Sequence, residues 1–474
     1  MCKRTIIVTA VAAVVALIVA PCAYFAYRLV SSPVGSDSAT TEWLGRGIGD
    51  VDGDGCGDVA VSLRFDPVTE ADAFTTWIVS GRENKPLYTI SIDPSLIDRE
   101  HNPEFGTYTP AWHEVHELAD FDRDGCADVG VSCILGGSAA QHSKTVVLSG
   151  KSGRVLLDDL PSSRNWAAGP NCETLGDANG DATPDLLITI SGDSLHGIPA
   201  RVAILSGVDG SEIRSIESTP RPIQLKGFPN AIASSYFGLE VCVIGDADGD
   251  TVDDFVVNDP DIQRTEGPYP TVFGYSSGTG NLLWKLDSEF DLQSSRVLLA
   301  GWEIEAFGDV DADHLVDVLV SVRPGGHRVV SGRNGTLLPM QQLPKGTTPV
   351  ADFDGDGLLD FSRNYLGRVE SRGDAHTKME IVSGKTGASL CSFHIDSRTE
   401  FVSAFRSAGD VNCDGTPDIA LTGDVEMVAE GRKWKPAFGV VTIHSGKDGS
   451  LLRTYDREYL REFSKGDVPS VVIR

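Results

Sequence analysis

One nine-residue acidic pattern, D-x-[DN]-x-D-x-x-x-D, occurs seven times along the chain. Four oxygen-bearing side chains crowded into nine residues repel one another unless a cation lies among them. Carboxylate and carbonyl oxygens without His or Cys favour a hard ion, and a cage built almost wholly by protein favours calcium over magnesium, which usually keeps several waters. The pattern therefore predicts calcium-binding loops.

The predicted side-chain ligands stand at positions 1, 3, 5 and 9 of each loop. They are Asp50, Asp52, Asp54 and Asp58; Asp120, Asp122, Asp124 and Asp128; Asp177, Asn179, Asp181 and Asp185; Asp246, Asp248, Asp250 and Asp254; Asp309, Asp311, Asp313 and Asp317; Asp352, Asp354, Asp356 and Asp360; and Asp410, Asn412, Asp414 and Asp418. Position 7 is expected to add a backbone carbonyl. The cofactor prediction is up to seven Ca²⁺ ions, one in each loop.

Substitutions within the pattern predict that the loops differ in calcium affinity. Glycine at position 6 eases a sharp turn, because it adopts positive φ without strain. Ala182, Thr251 and His314 replace that glycine in the third, fourth and fifth loops. We therefore expect weaker calcium binding in the loops that start at Asp177, Asp246 and Asp309. Asn179 and Asn412 remove one charge from their loops but keep an oxygen.

The EF-hand begins its loop with the same residues but requires a bidentate glutamate at position 12. In this chain position 12 is mostly apolar and β-favouring, being Val61, Val131, Ile188, Val257, Val320, Arg363 and Leu421. The loops are therefore predicted to enter strands and not helices.

A second marker alternates with the acidic loops. It is a Ser-Gly pair that closes an apolar run, placed at Ser80, Ser149, Ser206, Ser277, Ser331, Ser383 and Ser445. Short β runs punctuated by acidic and glycine turns, repeated in units of about 40 to 70 residues, indicate sheets arranged radially. The prediction is an all-β fold, a seven-bladed β-propeller with one calcium loop in each blade, formed as a single domain by residues 42–474.

The repeat resembles the FG-GAP repeats of the integrin alpha-chain propeller and its bacterial relatives. The resemblance is fullest in YFGLEVCVIGDADGDTVDD, from Tyr236 to Asp254, and is also visible in EAFGDVDADHLVDVLV, from Glu305 to Val320. It covers the chain from about Glu42 to its end. It implies a propeller with calcium ions in hairpin loops at one rim, each bound by the residues at positions 1, 3, 5 and 9.

An uncharged apolar run from Ile6 to Phe25 is long enough to cross a bilayer as one helix, which takes about 20 residues. Lys3 and Arg4 precede the run, so its start is expected in the cytoplasm and the bulk of the chain outside. We predict a signal anchor over residues 1–30 that crosses the membrane through residues 5–27, followed by a polar stalk over 31–41. The alternative is a secreted protein after signal cleavage, although no small-x-small cleavage site is evident.

Composition argues against nucleic acid as a partner and does not decide how the cysteines pair. The chain carries 68 Asp plus Glu against 40 Lys plus Arg, so nucleic acid would be repelled. Beyond the membrane segment stand Cys56, Cys126, Cys133, Cys172, Cys242, Cys391 and Cys413. Their number is odd and no CxxC pair occurs, which favours minor structural roles over a disulfide framework.

No catalytic motif is found. The segment WHEVHE, with His113 and His116, has its histidines three residues apart before a β-type loop, whereas a zinc protease needs them four apart on a helix. No GxSxG elbow and no glycine-rich phosphate loop occurs in the sequence. We therefore expect a protein that is not an enzyme.

Ionisable residues also stand four positions before most of the loops, with Cys242 and Thr348 at the same position before the fourth and sixth. The ionisable residues include Arg46, His116, Glu173, Glu305 and Arg406, and residues two apart on a strand share a face. If these strands are innermost, the five side chains converge on the central channel and form a possible ligand site. The alternative is a water-filled polar channel without a ligand.

The function predicted from sequence is a calcium-stabilised module outside the membrane that binds or scaffolds an extracytoplasmic protein or polysaccharide. The alternative is a polysaccharide-cleaving enzyme, a lyase or glycosidase, that uses two convergent carboxylates. Candidates for such a pair are Glu114, Glu173, Glu240, Glu303 and Glu305.

Overall fold

The computed structural model describes residues 42–64, 75–93, 112–135, 142–158, 160–161, 171–193, 196–219, 237–259, 270–287, 289–291, 296–298, 300–322, 326–339, 347–365, 377–395, 401–424, 427–430, 433–436, 439–456, 459–460, 462 and 468–473. The chain divides into two units, Met1–Ser38 and Ala39–Arg474, and all described residues belong to the second. The predicted membrane helix and stalk lie outside the described residues. Within those ranges no helix has the length and apolar character needed to cross a membrane.

Among the described residues, seven sheets form the blades, each built on four antiparallel strands. Blade 1 contains β1 (Glu42–Gly47), β2 (Val59–Arg64), β3 (Thr75–Ser80) and β4 (Lys85–Ile92); blade 2 contains β5 (Trp112–Leu118), β6 (Asp128–Leu135), β7 (His142–Leu148) and β8 (Val155–Leu157); blade 3 contains β9 (Cys172–Leu175), β10 (Asp185–Ile190), β11 (Arg201–Leu205) and β12 (Glu212–Glu217); blade 4 contains β13 (Val241–Gly245), β14 (Asp254–Asn258), β15 (Pro270–Tyr275) and β16 (Leu282–Asp287).

The remaining blades follow after a two-stranded hairpin, β17 (Glu289–Asp291) and β18 (Arg296–Leu298). Blade 5 contains β19 (Ala300–Gly308), β20 (Asp317–Val322), β21 (His327–Val330) and β22 (Leu337–Leu338); blade 6 contains β23 (Thr347–Pro349), β24 (Phe361–Tyr365), β25 (Thr377–Val382) and β26 (Ser389–Ile395); blade 7 contains β27 (Phe401–Gly409), β28 (Asp418–Asp424), β31 (Gly439–His444) and β32 (Leu451–Asp456). A second hairpin, β29 (Met427–Glu430) with β30 (Lys433–Pro436), interrupts blade 7, and β33 (Ser470–Ile473) ends the described chain.

The second strand of most blades is largely apolar on both faces, whereas β24 of blade 6 carries Ser362 and Arg363. In β10 and β14 every residue is buried. Strands enclosed on both sides form continuous apolar runs instead of alternating with polar residues. The reason here is that each blade packs between two others.

The hydrophobic core is divided into seven clusters, one between each pair of adjacent blades. Ile90 and Val131 belong to the cluster between blades 1 and 2, and the remaining clusters follow in order to the one between blades 7 and 1. The first strands lie innermost, since β13 contacts both β9 and β19, and β1 contacts β27. The closed ring confirms the predicted seven-bladed propeller.

The ring closes between blade 7 and blade 1 by packing and by an added strand. Val61 and Trp77 of blade 1 pack with Val441 and Tyr455 of blade 7. The C-terminal strand β33 pairs in parallel with the outer strand β4, which makes blade 1 a five-stranded sheet. Both chain ends of the propeller thereby contribute to one sheet.

Candidate metal centres and channel residues

The acidic loops join the first strand to the second, and the Ser-Gly turns join the third to the fourth. Because both connections lie at the same end of an antiparallel blade, all seven loops and turns share one rim. The described residues therefore confirm that the repeated acidic pattern is gathered on one face of the propeller.

The first aspartate of each loop organises the turn around its own carboxylate. Asp50 Oδ1 accepts the backbone N–H groups of Gly53 at 2.8 Å and Asp54 at 3.0 Å, and Oδ2 accepts that of Gly55 at 2.8 Å. The bond from position 6 recurs in all seven loops. Such Asx turns hold the carboxylates on the concave side of the loop before any ion arrives.

Positions 4 and 6 of every loop have positive φ. Glycine adopts this conformation without strain, but the structure also imposes it on Arg123, Ala312 and Cys413 at position 4 and on Ala182, Thr251 and His314 at position 6. Thr251 has φ of 78°, which is unusual for a β-branched residue. The sequence analysis identified the constraint at position 6 and missed the equal constraint at position 4.

The ninth residue of each loop is an aspartate that is 0 % exposed. Asp128 Oδ2 accepts the N–H of Phe121 at position 2 of its loop at 2.7 Å, and Oδ1 accepts the N–H of Gly150 in the Ser-Gly turn at 3.0 Å. The same pair of bonds occurs in all seven blades. Position 9 thus ties the acidic loop to the neighbouring turn, in addition to its predicted role as a ligand.

The Ser-Gly marker is explained by the same bond. A side chain on Gly150 would overlap the carbonyl oxygen of Ala127, so the donor to Asp128 has to be small. In blade 4 the equivalent serine is Ser276, which accepts from Gly280, and Ser277 takes the place of the glycine as donor to Asp254. The repeat in the sequence had suggested Ser277 for this marker, one residue after the serine that forms the turn.

Five of the seven loops bring three carboxylates within 4.8 Å of one another. These groups are Asp50, Asp52 and Asp58; Asp120, Asp122 and Asp128; Asp246, Asp248 and Asp250; Asp309, Asp311 and Asp317; and Asp352, Asp354 and Asp356. The two other loops carry asparagine at position 3, and the amide oxygens of Asn179 and Asn412 accept from Asp181 N and Asp414 N, each at 2.9 Å. Loops of this form supply the oxygen donors that a hard divalent cation requires.

Burial and mutual repulsion destabilise the charged form of the ninth residue. Burial raises the pKa of Asp58 to about 7, and the charges of Asp52 and Asp54 add to the rise. Burial likewise raises the pKa of Asp128 and Asp254 to about 6. A cation among these carboxylates would relieve the repulsion, because an opposite charge favours the ionised form.

Basic side chains already contact some of these carboxylates. Arg333 donates through Nε to Asp313 Oδ2 at 2.6 Å and through Nη2 to the Asp313 carbonyl at 3.2 Å. Arg154 Nη2 lies 3.1 Å from Asp122 Oδ2 in the second loop. Asp313 is therefore the predicted ligand whose carboxylate is most firmly engaged by a protein cation among the described loops.

Adjacent loops contact one another around the rim. Ala127 N, at position 8 of the second loop, donates to the carbonyl of Asp50 at 3.1 Å. Arg123 Nη2 of the second loop donates to the carbonyl of Ala182 in the third at 2.7 Å. At the closure, a disulfide joins Cys56 of the first loop to Cys413 of the seventh. Sequence spacing gave no sign of this pair, because the two cysteines are 357 residues apart.

Three of the five proposed channel residues form an interacting group on the innermost strands. Arg46 on β1 forms an ion pair with Glu114 at 3.5 Å and donates to the Val115 carbonyl at 3.3 Å. His116 is buried, and burial lowers its pKa to about 4, with Glu114, Arg46 and Arg406 as its charged neighbours. Among the described residues, no group of metal-ligating side chains includes His116.

Glu173 on β9 and Glu305 on β19 are both charged neighbours of Cys242, which lies on β13 between those strands. Glu173 interacts electrostatically with Arg46 and with Glu117, and burial is the main cause that raises its pKa to about 7. Partial desolvation also raises the pKa of Glu117, although its side chain remains exposed to solvent. Glu117 and Glu173 line a cavity of about 450 Å³ between blades 2 and 3, together with Asp120. The sequence analysis read Glu117 only as part of WHEVHE and did not pair it with Glu173.

Comparison with known proteins gives no family. No family model and no curated protein matches the chain. Solved structures that match parts of the chain include rhamnogalacturonan lyase YesW, 14% identical with a TM-score of 0.36 over 88% of this chain and 76% of that one. They also include BBS1N in complex with ARL6DN, 11% identical with a TM-score of 0.40 over 72% of this chain and 81% of that one. Similarity this low carries no argument about activity.

Proposed function

We propose that the chain is a calcium-stabilised β-propeller of the FG-GAP type, held outside the membrane as a binding or scaffold module. The observation that carries the proposal is the seven-fold repetition of one oxygen-lined loop on one rim. Seven copies with the same internal hydrogen bonds are better explained by structural ions than by seven active sites. Calcium is the ion whose ligand number and oxygen preference fit these loops best.

Two features support an exported location. The disulfide between Cys56 and Cys413 is a bond that persists in oxidising compartments and is rare in the cytosol. The apolar run from Ile6 to Phe25 is long enough for a membrane anchor. Partners would then be extracytoplasmic proteins or polysaccharides.

The structure refines the expected order of affinity among the loops. Asp309 starts the weakest loop, because Asp313 is paired with Arg333 and both Ala312 and His314 have positive φ. The loops that start at Asp246 and Asp309 each keep three close carboxylates, but the Asp246 loop has one residue other than glycine at positive φ, Thr251, against two in the Asp309 loop. We therefore expect the Asp246 loop to bind more tightly than the loop at Asp309.

The proposal is tested by removing ligands from one acidic loop and counting the Ca²⁺ ions that the chain still binds. The double substitution Asp352→Asn and Asp354→Asn takes two carboxylates from the sixth loop and should remove one bound Ca²⁺ per full chain in equilibrium dialysis. Glu83→Gln is the matched control, since Glu83 is an exposed acid outside the loops. An unchanged calcium count in the double variant would remove the sixth loop as a site and with it the basis of the proposal.

A second candidate function is cleavage of a polysaccharide, because the structure brings Glu117 and Glu173 to one cavity. A carboxyl with a raised pKa can act as general acid beside a second carboxylate. Under this candidate, Glu173→Gln and Glu117→Gln each abolish polysaccharide cleavage by the full chain, while Glu83→Gln keeps it. Cleavage that survives both substitutions would exclude this pair, and no cleavage of neutral or acidic polysaccharides by the unaltered chain would leave the scaffold role.

A further inference from the structure

The disulfide occupies a defined place in the ring of acidic loops. Cys56 stands at position 7 of the first loop, and Cys413 stands at position 4 of the seventh, where it has φ of 57°. The same two positions meet without a covalent bond in the next pair of loops, where a side chain on Gly53 would lie 3.0 Å from Cys126 Sγ. The bond is therefore an addition to a contact that the fold makes in any case.

The two sulfurs differ in their accessibility. Cys413 is exposed, whereas Cys56 is only 3 % exposed. Arg82 contacts both, with Nε 3.2 Å from Cys56 Sγ and Nη2 3.4 Å from Cys413 Sγ. A thiol in solution can thus reach Cys413, and a cation lies beside the sulfur that would leave.

Cys56 also belongs to the framework of its loop. Its N–H donates to Asp54 Oδ1 at 2.9 Å, and the next residue, Gly57, donates to the carbonyl of Asp410 at 2.8 Å. Asp54 and Asp410 are predicted ligands of the first and seventh ions. Releasing the bond therefore loosens both cages at the point where they touch.

We propose that Cys56–Cys413 is a redox site for thiols and that its state sets the calcium affinity of the two loops it joins. The inference rests on the calcium proposal above and deepens it. Reduction of this bond removes a covalent link that nothing replaces, because no other disulfide joins blades among the described residues.

The exchange balances with two equivalents of a small thiol. A thiolate attacks Cys413 Sγ, the S–S bond breaks, and its electron pair leaves on Cys56 Sγ beside Arg82. A second thiolate attacks the mixed disulfide and releases Cys413, so two thiols become one disulfide and the protein gains two electrons and two protons. A disulfide oxidant restores the bond by the reverse path.

The experiment uses the full chain in detergent, with and without dithiothreitol at neutral pH. Native alkylation with iodoacetamide, mapped by mass spectrometry, should label the exposed Cys413 only after reduction. Calorimetric titration with calcium chloride should then show two ions bound about tenfold more weakly, as expected if unbridged loops hold the binding geometry about a tenth of the time. The remaining ions should bind as before.

Two variants make the result specific. The double substitution Cys56→Ser and Cys413→Ser should bind calcium like the reduced chain and ignore dithiothreitol. Cys126→Ser, at the same loop position in blade 2, should keep the redox dependence. Equal calcium binding before and after reduction would overturn the inference, as would failure of Cys413 to become labelled after reduction. Absence of calcium binding by the oxidised chain would instead contradict the proposed function itself.

Discussion

Six residues other than glycine have positive φ within the acidic loops, which is a local cost that the rest of the fold has to offset. A left-handed conformation costs an L-residue roughly 1–2 kcal/mol. Thr251 is the clearest case, because its branched side chain is least suited to φ of 78°. Its N–H still donates to Asp246 Oδ2 at 2.8 Å, so the strain persists where the loop needs a donor.

Thr251→Gly is expected to stabilise the full chain by about 1 kcal/mol, since it removes the strain and keeps the backbone donor. Gly249→Ala, two residues earlier at φ of 85°, should shift stability the other way by a similar amount. Urea unfolding in the presence of chelator measures both. Equal effects of the two substitutions would show that backbone conformation does not limit this loop.

Acid should stabilise the calcium-free propeller. Burial raises the pKa of Asp58 to about 7 and that of Asp128, Asp254, Asp360 and Asp418 to about 6, so the native chain keeps protons that the unfolded chain has lost above about pH 4. This contribution is complete below about pH 4 and is lost as the pH rises through 6 to 7.

Thermal melting in chelator between about pH 5 and pH 8 should therefore show a falling midpoint. Saturating calcium should reverse the trend, because the ion binds the deprotonated carboxylates. A midpoint that rises with pH in chelator would contradict the burial of uncompensated carboxyls at position 9.

At the scale of elements, position 9 connects two turns that are far apart in sequence. Asp128→Asn replaces one acceptor oxygen with an amide that faces a backbone donor, and should cost about 2–3 kcal/mol even without calcium. Asp124→Asn is the control, because Asp124 is exposed and accepts from Cys126 N within its own loop. If both substitutions cost the same in chelator, position 9 acts only as a ligand and not as a tie between turns.

The strands and loops were predictable because each carries a local signal. An aspartate at position 9 followed by an apolar run marks the start of the second strand of a blade, as at Asp185 in β10. The turn marker failed in blade 4, since Ser276 and Ser277 are both serines and local spacing cannot tell which one donates to Asp254. The Cys56–Cys413 pair was beyond local reasoning, because only closure of the ring brings the first and seventh loops together.

At the scale of the molecule, the last strand strengthens the closure between the two ends of the propeller. Thr89 N donates to the Pro469 carbonyl at 2.9 Å, and Asp93 N donates to that of Ile473 at 2.8 Å. Ile473 enters the core shared by blades 1 and 2 and is 3 % exposed. The strand β33 therefore adds both backbone hydrogen bonds to β4 and a buried side chain to the core.

Ile473→Ala should destabilise the full chain by about 2–4 kcal/mol through the cavity it leaves. Val472→Ala is the control, since Val472 is 43 % exposed and its loss should be within about 0.5 kcal/mol. Thermal melting of both variants checks the pair. Identical melting of Ile473→Ala and the unaltered chain would mean that β33 does not contribute to the closed ring.

The most direct test of the whole account is a calcium titration of the full chain by calorimetry, with thermal melting before and after chelation. The account predicts several ions bound per chain, up to seven, and a large rise in the melting temperature with calcium. Absence of binding together with an unchanged melting temperature would show that the acidic loops are not cages and that the propeller is held together without ions.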